Sequence, residues 1–304
     1  MQLSVPWRRG QVRPFGSIPR INWAHPLASG LVTYMYDAGG GVVIDLCGGK
    51  CALQTKIGTP VNPPFPSPNA YGVNSWNTNG GQAGGGSGAW GIYIPTAQVD
   101  GVVNAAPYSV VIGLIRYGAN FSGQYGTLFA YADTSTNTPF WFALDPSQQP
   151  VYGLGGGSLR TFAVSPPIKR LATLGAVMTA STSATGYYID PTNGLTTQTN
   201  TEGLITNTGL YPVMYNEAAP GSIGADNGFN GSILYGAVWK SRALTATDII
   251  QINADPWCLL WYPEDEIFAT MVGATAQGFT WSQTGDDQFF LPKQHTVREM
   301  IRHD

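Results

Sequence analysis

The run Phe229-Asn-Gly-Ser-Ile-Leu-Tyr-Gly-Ala-Val-Trp239-Lys-Ser-Arg-Ala-Leu-Thr245-Ala-Thr-Asp248-Ile-Ile decides the fold. It reads as a strand, a tight link and a short helix. Thr245 and Asp248 have the spacing of a capping box. The Thr hydroxyl takes an early orphan amide, and the acid favours the positive end of the helix. Ile249, Ile250 and Ile252 give the helix an apolar side, and Asp255-Pro256 ends it.

Upstream, strand signals dominate. Pro107–Arg116 alternates, with Tyr108, Val110, Ile112 and Leu114 on one face and Ser109, Val111, Gly113 and Ile115 on the other. Both faces are largely apolar, which predicts a central strand of a layered sheet protein. Thr127–Ala132, Phe140–Leu144, Val151–Leu154 and Leu171–Met178 continue the series. Gly186–Asp190 and Leu195–Thr199 flank an Asn-Gly turn, which predicts a hairpin. Residues 57–70 carry five prolines and read as a loop or insertion. The Gly-rich run Gly80–Gly91 has no Gly-Lys-Ser/Thr after it, so it is not a phosphate loop.

Composition agrees. Charged residues are 11% of the 304, against about 25% in an average domain. With 39 Gly and 22 Pro, turns are plentiful and long helices scarce. The net charge of -3 argues against nucleic-acid binding by the whole chain. Its distribution says more: Arg8, Arg9, Arg13 and Arg20 make residues 1–20 +4, leaving -7 for the rest. Such a basic arm suits an acidic neighbour. Cys47, Cys51 and Cys258 imply no disulfide framework and are expected as reduced thiols. Met1–Arg9 lacks the apolar stretch of an export signal, and no segment approaches the roughly 20 apolar residues of a membrane helix.

Four stretches carry a family resemblance. Asn22-Trp23-Ala-His25-Pro26-Leu27-Ala28-Ser-Gly30-Leu31 resembles the "W-x-H-P-L-A-x-G-L" opening of laminin-G-like, concanavalin A-like jelly rolls of tailed-phage virion proteins. Trp239 to Thr245 resembles their closing "W-x-x-R-A-L-T" link. Gly91–Pro95 is similar to their "Y-V-x-I-P" strand end, without the usual "F-D-G" before it. Asp45–Lys50 stands where they have "D-L-S-G-x-G", with Cys47 in place of the serine. The resemblance implies an all-β fold: a concanavalin A-like jelly-roll sandwich of two antiparallel sheets, one short C-terminal helix, and extended N- and C-terminal arms. The expected organisation is a basic arm at 1–20, the sandwich at 21–270 and a tail at 271–304.

The chemistry-bearing residues are few. Glycoside hydrolysis on this fold needs facing carboxylates. The densest acidic run, Glu264-Asp265-Glu266, has no partner cluster and reads as a solvated turn. His25, His295 and His303 are the histidines, and no "G-x-S-x-G" elbow occurs, so the chain is expected not to be an enzyme. His25, before Pro26, is expected to satisfy backbone groups. Asp37, Asp45 and Asp226 read as loop caps, and neither a metal nor a cofactor is expected.

Two functions remain. The first is a virion structural protein, a capsid decoration or head-fibre subunit forming a homo-oligomer such as a trimer. Its arm residues Arg8, Arg9, Arg13, Arg20, Phe289, Phe290 and Leu291 would hold other virion proteins, the major capsid protein above all. The alternative is a tail-fibre or receptor-binding module for host glycan, using Trp76, Trp90 and Trp141 with Tyr125 and Tyr215 nearby in the pattern. Either places the protein in a particle assembled in a host cytoplasm, with no nucleic-acid partner and no membrane insertion.

Overall fold

A computed structural model describes residues 19–39, 42–48, 50–51, 53–58, 65–68, 74–77, 88–93, 102, 105–119, 125–132, 140–154, 159–201, 211–214 and 229–261. The chain divides into two units, Met1–Tyr262 and Pro263–Asp304, and the described residues all lie in the first. The expected limits at residues 20/21 and 270/271 stay expectations.

The strands in chain order are β1 (Arg20–Ile21), β2 (Leu31–Gly39), β3 (Val42–Asp45), β4 (Lys50–Cys51), β5 (Leu53–Gly58), β6 (Phe65–Pro68), β7 (Asn74–Asn77), β8 (Gly88–Tyr93), β9 (Tyr108–Arg116), β10 (Gly126–Ala132), β11 (Phe140–Leu144), β12 (Pro150–Leu154), β13 (Arg160–Thr161), β14 (Leu171–Ala180), β15 (Ser183–Asp190), β16 (Gly194–Asn200), β17 (Tyr211–Met214), β18 (Gly231–Lys240) and β19 (Leu260–Trp261); helix α1 spans Ala246–Ala254. They form an all-β sandwich. A seven-stranded antiparallel sheet runs β13-β12-β11-β10-β17-β8-β5, and an eight-stranded one runs β16-β15-β14-β9-β18-β2-β3-β4.

The faces of β9 are those its alternation predicts. Tyr108, Val110, Ile112 and Leu114 enter the core between the sheets with Phe129, Phe140, Phe142 and Tyr152. Val111 and Ile115 face the other way, into a second apolar layer. That layer covers the back of the eight-stranded sheet. Ile249 and Ile252 of α1 pack there with Leu27, Trp239, Trp257 and Leu260. The capping box is present: Asp248 N–H donates to Thr245 Oγ1 at 3.2 Å, and Thr245 N–H to Asp248 Oδ2 at 2.8 Å. Ile250, expected on the apolar side, is instead 44% exposed, because one short helix buries only the stripe through Ile249 and Ile252.

One segment departs from the sequence reading. Phe65–Pro68, inside the proline-rich stretch, pairs with Asn74–Asn77 as a separate two-stranded ribbon. Prolines lack the amide that a central strand needs, but a two-stranded ribbon has an outer side for each strand.

Candidate functional site

The two ends of the described chain are clasped together. The Trp239 indole N–H donates to the Leu27 carbonyl at 2.7 Å, both buried. Arg242 donates from Nη1 to the carbonyls of Pro26 at 2.6 Å and Ser29 at 3.0 Å. Gly30 sits at φ +79°, and a Cβ there would stand 2.8 Å from the Lys240 carbonyl, so the turn requires glycine. His25 does what its place before Pro26 predicts: its Nδ1 accepts the Leu27 N–H at 3.1 Å at the start of a 3-10 turn. Burial lowers its pKa; Asp255 opposes that shift and Arg242 adds to it. Asp45 likewise caps, accepting the N–H groups of Tyr34 and Cys47 through Oδ1.

Beside this clasp, β1 pairs antiparallel with β19, setting Arg20 opposite Trp261 and Ile21 opposite Leu260. Ile21 and Leu260 turn into the second apolar layer. Arg20 is exposed, and Trp23 and Trp261 are 59% and 44% exposed. The first and last described strands are therefore neighbouring backbones. Of the expected arm contacts, Arg8, Arg9, Arg13, Phe289, Phe290 and Leu291 lie outside the described residues.

The aromatic candidates separate. Trp76 is in β7, opposite Pro66, in a ribbon that belongs to neither large sheet's ladder. Trp90 is in β8, opposite Lys56. Trp141 is in β11 of the same seven-stranded sheet. Tyr215 lies outside the described residues.

Trp141 faces away from the inter-sheet core, since its neighbours Phe140 and Phe142 both enter it. Cross-strand pairing places Gly153, Trp141, Ala130, Val213 and Tyr93 in one row on that outer face. Ala130 and Val213 are buried, whereas Trp141 and Tyr93 are half-buried. The Trp141 Nε1–H donates to Thr127 Oγ1 at 3.0 Å, which fixes the ring's orientation. The Tyr125 ring lies 5.2 Å from it, centroid to centroid, tilted by 51°. Thr127 and Tyr93 went unnoticed in the sequence; their shared face with Trp141 depends on strand register, which periodicity alone does not give.

Among the described residues no cluster of three His, Cys, Asp or Glu side chains could hold a metal ion, and no helix is long and apolar enough to cross a membrane. Cys47 and Cys258 are free thiols, and burial, then Asp45, pushes the Cys47 thiol well up.

No protein-family model matches this chain, and no curated protein matches it. Among solved structures it is similar to the sialidase of Trypanosoma rangeli in complex with sialic acid, at 13% identity and a TM-score of 0.49. That match covers 75% of this chain, which spans about a third (33%) of the sialidase. It is also similar to domain 4 of AbnA, an extracellular arabinanase of Geobacillus stearothermophilus, in complex with arabinotriose. The identity is 16%, the TM-score 0.49, and the match covers 73% of this chain and 98% of that one. A third likeness is to the binding domain of botulinum neurotoxin DC in complex with rat synaptotagmin II, at 13% identity, TM-score 0.46, covering 74% and 51% of the two chains. These likenesses assign no activity to this protein. They do correct one expectation. Missing carboxylate pairs led to the reading that the chain is not an enzyme, yet the sialidase and arabinanase chains that it resembles belong to enzymes. The exclusion therefore does not stand.

Proposed function

We propose that this sandwich is a glycan-recognition module of laminin-G-like, concanavalin A-like type. The observation that carries the reading is the Tyr125–Trp141 pair on the outer face of the seven-stranded sheet. A sugar presents an apolar C–H face and a rim of hydroxyls. A half-buried indole, held in place by Thr127 and supported by Tyr125, offers a platform for the first, and the many Asn and Gln side chains of the chain offer partners for the second. Titrating the full chain with neutral oligosaccharides, read by tryptophan fluorescence, tests it. Binding that falls at least tenfold in Trp141→Ala supports the module; equal binding in the variant, or none in the wild type across a glycan array, overturns it.

A second reading rests on a different observation, the β1–β19 ribbon with Arg20, Trp23 and Trp261 exposed beside it. Paired first and last described strands suit a subunit anchored to a tailed-phage particle, as a capsid decoration or head fibre in a homo-oligomer on the capsid protein. Extended arms bury much surface for few residues, and arginines pair bidentately with carboxylates. Deleting residues 1–19 abolishes particle binding on this reading and leaves the sandwich folded; retained binding overturns it.

A further inference from the structure

One end of the eight-stranded sheet gathers cations. Arg116 ends β9, and its carbonyl accepts the Lys169 N–H at 2.7 Å. Ile168 forms an isolated bridge with Arg116. Arg170 precedes Leu171, which pairs with Ile115, so Arg116 and Arg170 stand at the same end of adjacent strands. Lys169 holds a left-handed backbone at φ 58°. Lys169 and Arg170 are exposed, and Ile168 is 52% exposed.

Like charges on neighbouring strands repel. Among the described residues none of these cations is in an ion pair. The Arg116 Nε is buried and has no hydrogen-bond acceptor. Burial lowers the pKa of Arg116 from its ordinary value, with Tyr188 opposing that shift. The acid beyond it, Asp190, is already engaged. Its Oδ1 accepts the N–H groups of Thr192 at 2.6 Å and Asn193 at 2.7 Å, and its Oδ2 accepts Tyr188 O–H and Asn193 Nδ2. The cluster thus has a buried donor and two exposed cations, and among the described residues no carboxylate is paired with them.

We propose that this end of the sheet binds the carboxylate of a uronic-acid sugar. A guanidinium fork matches a carboxylate in two parallel hydrogen bonds, and the charge of the ligand relieves the repulsion between Arg116 and Arg170. The exposed Ile168 supplies an apolar contact for the C–H face of the ring. The assignment of a sugar rests on the glycan reading above; the anion site itself does not.

Calorimetric titration of the full chain with glucuronate, glucose and inorganic phosphate tests it. Glucuronate binds at least tenfold tighter than glucose or phosphate, and K169Q/R170Q, which alters exposed side chains, loses at least tenfold for glucuronate. Glucuronate binding is read on the wild type and K169Q/R170Q, and neutral-oligosaccharide binding on the wild type and Trp141→Ala, so a failed platform and a failed anion site give different results. Glucuronate no tighter than glucose, or a double variant that binds like the wild type, overturns the site. Phosphate binding as tightly as glucuronate, or a glutamate-rich peptide binding tighter, overturns the sugar.

Discussion

The Trp239 indole N–H donates to the Leu27 carbonyl at 2.7 Å, across 212 residues of sequence. The bond ties the last long strand to the turn that opens the sandwich, and both partners are buried. Trp239→Phe keeps most of the apolar contact and leaves the carbonyl without its donor. The expected cost is about 1–3 kcal/mol, the usual penalty for a buried unsatisfied group. A urea melt of the variant checks it, and a midpoint equal to the wild type would show that water reaches Leu27.

The inter-sheet packing has a comparable weak point at Gly186. The Tyr152 ring, from the opposite sheet, occupies the place of a Cβ on Gly186, and its hydroxyl donates to the Gln198 carbonyl at 3.0 Å. Gly186→Ala therefore has to displace a fully buried ring that also holds a hydrogen bond. Overpacking of this kind costs about 1–3 kcal/mol. Tyr152→Phe combined with Gly186→Ala should destabilise no less than Gly186→Ala alone, because removing the hydroxyl frees no space at the ring edge. Thermal melts of the single and double variants separate the two contributions.

Much of this architecture could be read from the chain. The faces of β9 were legible because its alternation runs unbroken from Tyr108 to Ile115, and α1 because Thr245 and Asp248 define its first turn. The clasp was half legible. Its two motifs stood out, but nothing in either says that Arg242 spans Pro26 and Ser29. β18 hid a bulge: Ile233 faces the inter-sheet core, while Leu234 and Tyr235 both join the second layer. Ile233, Leu234 and Tyr235 are all apolar, so no change of pattern marks the slip. The Tyr125–Trp141 platform and the cations around Arg116 depend on which strands become neighbours, and sequence spacing does not carry that. Trp76, Trp90 and Trp141 looked equivalent as strand-end aromatics; pairing put them on different strands, Trp76 outside both large sheets.

His25 gives the clasp a pH dependence. Burial lowers its pKa from the usual value of about 6.5, with Asp255 opposing and Arg242 assisting. Above that value the ring is neutral in both states. Below it the unfolded chain takes up the proton first, so stability falls with pH until the folded ring is protonated too. Protonation at Nδ1 also removes the acceptor for the Leu27 N–H. Urea midpoints at pH 7.5 and 5.5 should drop in the wild type and drop less in His25→Asn, whose side-chain oxygen still caps the turn. Equal drops would place the proton elsewhere.

The Thr127 hydroxyl is where the glycan reading is most exposed to test without loss of the fold. It accepts the Trp141 Nε1–H at 3.0 Å from within the same sheet. Thr127→Val keeps the shape and removes the acceptor, at a cost of about 1–3 kcal/mol for the group left unpaired. If Trp141 is a sugar platform, the freed indole changes orientation and oligosaccharide affinity falls severalfold, although the ring itself is untouched. Thr127→Ser restores the acceptor and should restore the affinity. A Thr127→Val variant that is destabilised but binds as the wild type would make Trp141 a packing residue, and the Tyr125–Trp141 pair a part of the sheet's outer cover.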